Sequence, residues 1–138
     1  QRLVMKSLTA SNHPETAIKT QMFKVSELRL IPPEQWVIDR MEDYGYNESF
    51  ENVGMLFPII VSTHNPVWVQ TRLKGKCPHH FDEENKIIEG YYVHAGNKRV
   101  LWAKKNGYDE IEGYLCDDQV DKVTLKSLMH IDHKEIPR

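Results

Sequence analysis

The residues best suited to chemistry lie at Ala95-Gly96-Asn97-Lys98-Arg99, where a strand-like run ends in glycine and a helical pattern begins with two cations. Gly96 lets a ligand approach the backbone closely. The first-turn N–H groups of a helix have no intrahelical acceptor, and the helix dipole favours an anion at that end. Lys98 would act there as a point charge and Arg99 as a planar fork able to grip a phosphate through two bonds. The plainer alternative is a tight turn followed by solvated side chains. Cations at a helix start cost up to about 1 kcal/mol unless an anion lies between them and the dipole, so the pattern favours phosphate.

Glu34, after Pro32-Pro33, could project a carboxylate beside such a pocket, or simply open a surface helix. A phosphotransferase or nuclease would need a metal-holding acid near the phosphate, and Glu34, Asp39 and Glu89 are the available ones. Cys77, His79 and His80, with His64, offer zinc-type ligands, but neighbours as close as 79 and 80 rarely reach one tetrahedral ion, so a polar loop is expected. His130, Asp132 and His133 near the C-terminus are expected to be solvated. No metal site is assigned. Tyr91, Tyr92, Trp68 and Trp102 could stack a base, although packing in the core or on the sheet is the simpler expectation.

The elements that position these residues read as mixed α/β. Residues 1–20 form an arm with one short strand at most, and 21–138 form the domain. Gln21 to Val25 alternates as a half-buried strand. Pro33 can open a helix from Glu34 to about Met41, and Asn47 can cap another that runs to a C-capping Gly54. Pro58 to Ser62 is a buried strand with proline at its start, where a missing N–H costs least. Ile87 to His94 is the next strand, and 63–86 between them reads as an extended hairpin or loop in which Trp68 to Gln70 could pair. Asn97 to Asn106 carries an apolar face at Val100, Leu101 and Ala103, with Lys104, Lys105 and Gly107 as stop signals. Glu110 to Cys116 makes a further strand, Asp118 can cap a last helix through Ile131, and the pattern over 87–116 is that of a crossover unit.

Composition limits the choices. A chain of 138 residues with 40% apolar and 28% charged residues is enough for a single domain with its own core. The net charge of −2 draws the protein to no polyanion, so any contact with nucleic acid must be a local patch. Two distant cysteines suggest no disulfide framework, and with no membrane-length apolar run the expected setting is the cytoplasm, without a membrane partner.

Gly54-Met55-Leu56-Phe57-Pro58-Ile59-Ile60-Val61 and Ala95-Gly96-Asn97-Lys98-Arg99-Val100, preceded by Val25-Ser26-Glu27-Leu28 and a proline corner, resemble the ParB N-terminal and sulfiredoxin superfamily over roughly residues 21 to 117. That resemblance implies a small mixed sheet with flanking helices and a nucleotide pocket. Gly96, Asn97, Lys98 and Arg99 would lie on the phosphates, with Gly54 and Pro58 shaping the opposite wall. The implied ligand is a nucleoside triphosphate, CTP or ATP, with Mg²⁺, and a homodimer stays open as a partner. The sequence departs from its relatives: Asn97 and Lys98 replace a Glu and an Arg, and no DNA-reading helix-turn-helix follows. Asn97 also stands where sulfiredoxins carry their cysteine, and Ala95 where related serine kinases carry an acid. The expected function is therefore a nucleotide-binding module or slow NTPase in a switch or a DNA-associated process. A small phosphotransferase or nuclease, or an interaction module that has lost its ligand, are the alternatives.

Overall fold

Short β-branched and aromatic runs build one sheet, and every other element packs on its faces or edges. The computed structural model describes residues 5–14, 18–43, 46–66, 69–70, 73–74, 77–117 and 126–129. Its strands are β1 (Ser7–Leu8), β2 (Thr20–Lys24), β3 (Leu28–Leu30), β4 (Ile59–Thr63), β5 (Tyr91–Ala95) and β6 (Glu110–Leu115). β6 is the hub. Antiparallel β2 takes one edge along Glu110 to Tyr114, while β1 and β4 follow one another along the other edge, both parallel to β6. β4 then pairs antiparallel with β5, and β5 parallel with β3. The protein is thus a mixed α+β domain with a mixed sheet.

Three helices cover one face: α1 (Glu34–Asp43), α2 (Tyr46–Val53) and α3 (Asn97–Lys105). Val37 and Met41 of α1 and Val100, Leu101 and Ala103 of α3 join Phe23, Ile59, Val61, Val93 and Ile111 of the sheet in the main core. Phe50 of α2 stacks on Trp102 of α3 with ring centroids 5.3 Å apart. The opposite face carries Ile60, Ala95, Tyr114, Cys116 and Leu128. Burial pushes the Cys116 thiol up to about 11, which makes it a packing residue rather than a nucleophile.

Three sequence expectations change. The 87–116 unit is not a parallel crossover: β5 is antiparallel to β4 and β4 parallel to β6, so β5 and β6 run in opposite directions. The reason is that β4, fully buried from Ile59 to Ser62, takes the slot between them. The 63–86 insertion is not an extended hairpin. Val69 and Gln70 donate to Pro66 O and Cys77 to Leu73 O in helical turns, because Val69 and Leu73, four apart, bury together on Tyr92. Its end, bridged at Phe81 and Ile87, is hairpin-like; Trp68 lies outside the described residues. Asn47 sits inside α2, which begins at Tyr46, rather than capping it. Of the last helix, 126–129 is described, and His130, Asp132 and His133 lie outside the described residues.

The N-terminal arm is held by β1 and by one carboxylate. Glu112 of β6 accepts from the Ala10 N–H at 2.9 Å and the Thr20 hydroxyl at 2.7 Å, and pairs with His13 Nε2 at 2.8 Å. Burial alone would raise its pKa, but these three donors together hold it below the usual glutamate value. A depressed folded-state pKa means that the stability Glu112 supplies is present above the unfolded value near 4.5 and is lost as pH falls below it. Acid titration followed by hydrogen exchange should therefore release Ala10 and Thr20 before the β4–β5 core, and Glu112→Gln should remove that early acid transition.

Candidate functional site

α3 has two ends, and the structure gives them different work. At its start Gly96 is left-handed, with φ 113°, and serves as an N-cap without side-chain cover. A Cβ there would lie 2.6 Å from Ile59 Cγ2 and 3.0 Å from Arg99 Nη2, so glycine is required to seat α3 against β4. His94 is the extra residue of a bulge in β5 just before this turn, where the pairing steps from Val61–Val93 to Ile60–Ala95. Arg99 is 4% exposed and its Nη1 donates to the carbonyls of Phe57 at 2.9 Å and Pro58 at 3.0 Å. Gly54, with φ 70°, closes α2 through its N–H to Phe50 O and sends the chain toward that same Phe57-Pro58 step.

The structure thus brings Pro58, Gly96 and Arg99 together. It buries the Arg99 guanidinium on backbone carbonyls, however, rather than presenting a fork to solvent. Asn97 and Lys98 stay half-buried at the helix start, and Asn97 Oδ1 is buried without a hydrogen-bond partner.

Glu34 is at the other end. Its carboxylate lies 3.6 Å from Lys104 Nζ, in the last turn of α3, and Lys104 is seven residues or about 10 Å of helix beyond Asn97. Here α3, the 3-10 turn Val25–Glu27, β3 and the Pro32 corner enclose a cleft of about 320 Å³, closed on one side by the 3-10 turn Pro78–His80 of the insertion. Its floor is apolar, from Val25, Leu28, Leu30, Val100 and Leu101, and its polar groups are Ser26, Arg29, Glu34, His79, His80 and Lys104. That volume and mixture are ordinary for a small-molecule site.

The charge balance of the cleft favours an anion. Glu34 and Lys104 offset one another, both largely exposed. Arg29 has no carboxylate partner among the described residues: its Nη2 is 3.4 Å from His80 Nδ1, its guanidinium stands 5.8 Å from the Tyr92 ring centre, and its Nε is buried without an acceptor. A partly buried cation without a counter-charge is costly unless something supplies one. His80 Nε2 is 2.9 Å from Ile31 O, a carbonyl that can only accept, so Nε2 carries the hydrogen and Nδ1 is the acceptor facing Arg29. Burial, then the neighbouring His79 and Arg29, lower the His80 pKa and keep it neutral, against the opposing bond to Ile31.

Sequence reasoning reached Glu34 but not the groups around it. Lys104 read as a complement to the helix dipole, and His79 and His80 only as doubtful zinc ligands. The one usable signal for Arg29 was a cation in the middle of the short Leu28-Arg29-Leu30 strand. Asp39 bonds Gln35 on the exposed side of α1, and neither it nor Glu89 lines the cleft. His64 Nδ1 accepts from the Gly90 N–H. Tyr91 packs edge-on against Phe23 and is partly exposed, while Tyr92 and Trp102 are buried in the core and closed to base stacking. No helix of the described residues is long and apolar enough to cross a membrane. No protein-family model and no curated protein matches the chain.

Proposed function

We propose that the protein is a nucleotide-binding module whose ligand occupies the cleft at the C-terminal end of α3, with its phosphates on Arg29 and Lys104 and its nucleoside over the apolar floor. The observation that carries this reading is the pairing of a 320 Å³ cleft with a guanidinium that has no counter-charge. Cleft and charge support an anionic small molecule. The resemblance to ParB and sulfiredoxin proteins, carried by the Gly54–Pro58 and Gly96–Arg99 segments, makes a nucleoside triphosphate the first ligand to test. A thermal-shift panel of CTP, ATP, GTP and UTP, each with and without Mg²⁺, tests it, since a ligand bound by the native state alone raises Tm by mass action. Stabilisation by at least one triphosphate is the expected result, and no shift with any of them would overturn the reading.

Glu34 is the carboxylate on the cleft wall and would hold Mg²⁺ together with the ligand's phosphates, the usual way this ion is bound. Turnover, where it occurs, should be slow and should fall about tenfold or more in Glu34→Gln, because the amide is a poor Mg²⁺ ligand and the ion neutralises the charge of the transferring phosphoryl group. Binding should survive, since the substitution removes a negative charge and releases Lys104. Rapid turnover indifferent to Glu34→Gln would place the chemistry on another residue. Intact binding with no turnover would leave a pure binding module.

A further inference from the structure

We propose that Arg29, His79 and His80 form a proton-coupled phosphate subsite, in which an entering phosphate dianion seats against Arg29 and His79 and its binding adds a proton to His79. The inference deepens the reading that the cleft holds a phosphorylated ligand, and it rests on that reading.

Two adjacent histidines would ordinarily be interchangeable, but their hydrogen bonds separate them. Both point Nε2 at the same carbonyl, Ile31 O, at 3.1 Å for His79 and 2.9 Å for His80. Both therefore carry a hydrogen on Nε2, which leaves each with an acceptor at Nδ1. The His80 Nδ1 faces Arg29 Nη2, and its ring is 2% exposed with its edge against Tyr92. His80 is thus a positioning residue: it stays neutral, ties the insertion to the strand end at Ile31 and orients the guanidinium. His79 lies 4.0 Å from it between ring centres, tilted by 46°, but is exposed, and its Nδ1 has no partner among the described residues. A proton there creates a charged donor at the cleft wall.

The charged groups that face the cleft are Arg29 from β3, Lys104 from α3 and Glu34 from α1, the last already shared with Lys104, which leaves a net positive balance. A dianion at Arg29 reverses this balance, because an opposite charge within about 4–6 Å favours the protonated imidazole. Ligand and proton then bind together. By linkage, affinity should fall as pH rises, approaching about tenfold per pH unit where a full proton is taken up.

The test is calorimetric titration of CTP, ATP and inorganic pyrophosphate into the full chain at one pH in two buffers of different ionisation enthalpy. The buffer dependence of the heat gives the protons exchanged. His79→Gln, at an exposed position, serves as the variant whose fold is not in question, and subtracting its result removes proton release by the ligand itself. The expected result is uptake of about half a proton or more per ligand in the wild type relative to His79→Gln, with the pH dependence of His79→Gln affinity reduced to that of the ligand's own ionisation. Binding with equal proton exchange in both proteins would overturn the subsite while leaving the nucleotide reading intact. Pyrophosphate binding with proton uptake, but no binding of either nucleotide, would support the subsite and overturn the nucleotide reading. No binding of any of the three would overturn both.

Discussion

Arg99→Ala should destabilise the protein by about 3 kcal/mol or more, because each hydrogen bond to a charged group contributes about 1.5–3 kcal/mol and two are lost at once. Its Nη1 is the donor to Phe57 O and Pro58 O, on the two residues that lead into β4. With the side chain truncated, both carbonyls face a new cavity in a region where Ile59 is fully buried and Gly96 leaves no slack. Arg99→Met fills the volume without restoring a donor, so it should recover only part of the loss. Urea unfolding of the three proteins measures this. A cost below about 1 kcal/mol for Arg99→Ala would show that the carbonyls are satisfied by water and that the strut is not structural. This expectation also separates the helix start from a ligand site, since a phosphate-gripping arginine would change binding and leave stability almost untouched.

Arg29→Ala should lower triphosphate affinity by about 30- to 160-fold, the cost of removing one charge-assisted contact of about 2–3 kcal/mol. The fold should survive. Arg29 is half-buried on β3, and its hydrogen bond to His80 is a long one at 3.4 Å. Arg29→Lys should restore part of the affinity, as a lysine supplies charge without the planar fork. Calorimetry under matched salt reads both, and a threefold effect or less in the alanine variant would move the phosphate away from this residue. Lys104→Ala should cost less, because its charge is already shared with Glu34 at 3.6 Å in an exposed pair.

How far the sequence disclosed this arrangement follows from which interactions are local. Strand and helix patterns with their own stop signals held well: α3 runs Asn97–Lys105 with Gly107 beyond it at φ 75°, α1 opens at Glu34 after Pro33, and Gly54 ends α2. Mixed α+β architecture was legible for the same reason. Strand direction was not, because β4 entering between β5 and β6 is a long-range pairing that no local pattern encodes. The helical turns of the insertion have no local signal, because Val69 and Leu73 bury on Tyr92, a partner some twenty residues away. The same limit hid the cleft. Ile31 and His80 are 49 positions apart, and nothing near either announces that one carbonyl gathers two imidazoles beside Arg29. The residue types at Gly96–Arg99 suit phosphate, and in the structure they also have packing work, with glycine admitting Ile59 and arginine reaching backward to Pro58.

One titration distinguishes the two ends of α3. Amide and imidazole NMR signals of the full chain should be followed while CTP or ATP is added with Mg²⁺. The account predicts saturable shifts concentrated at Ser26, Arg29, Glu34, His79, His80 and Lys104, with the largest change on the His79 ring. Saturable shifts confined to Gly96, Asn97, Lys98 and Arg99, with the cleft residues unmoved, would contradict it.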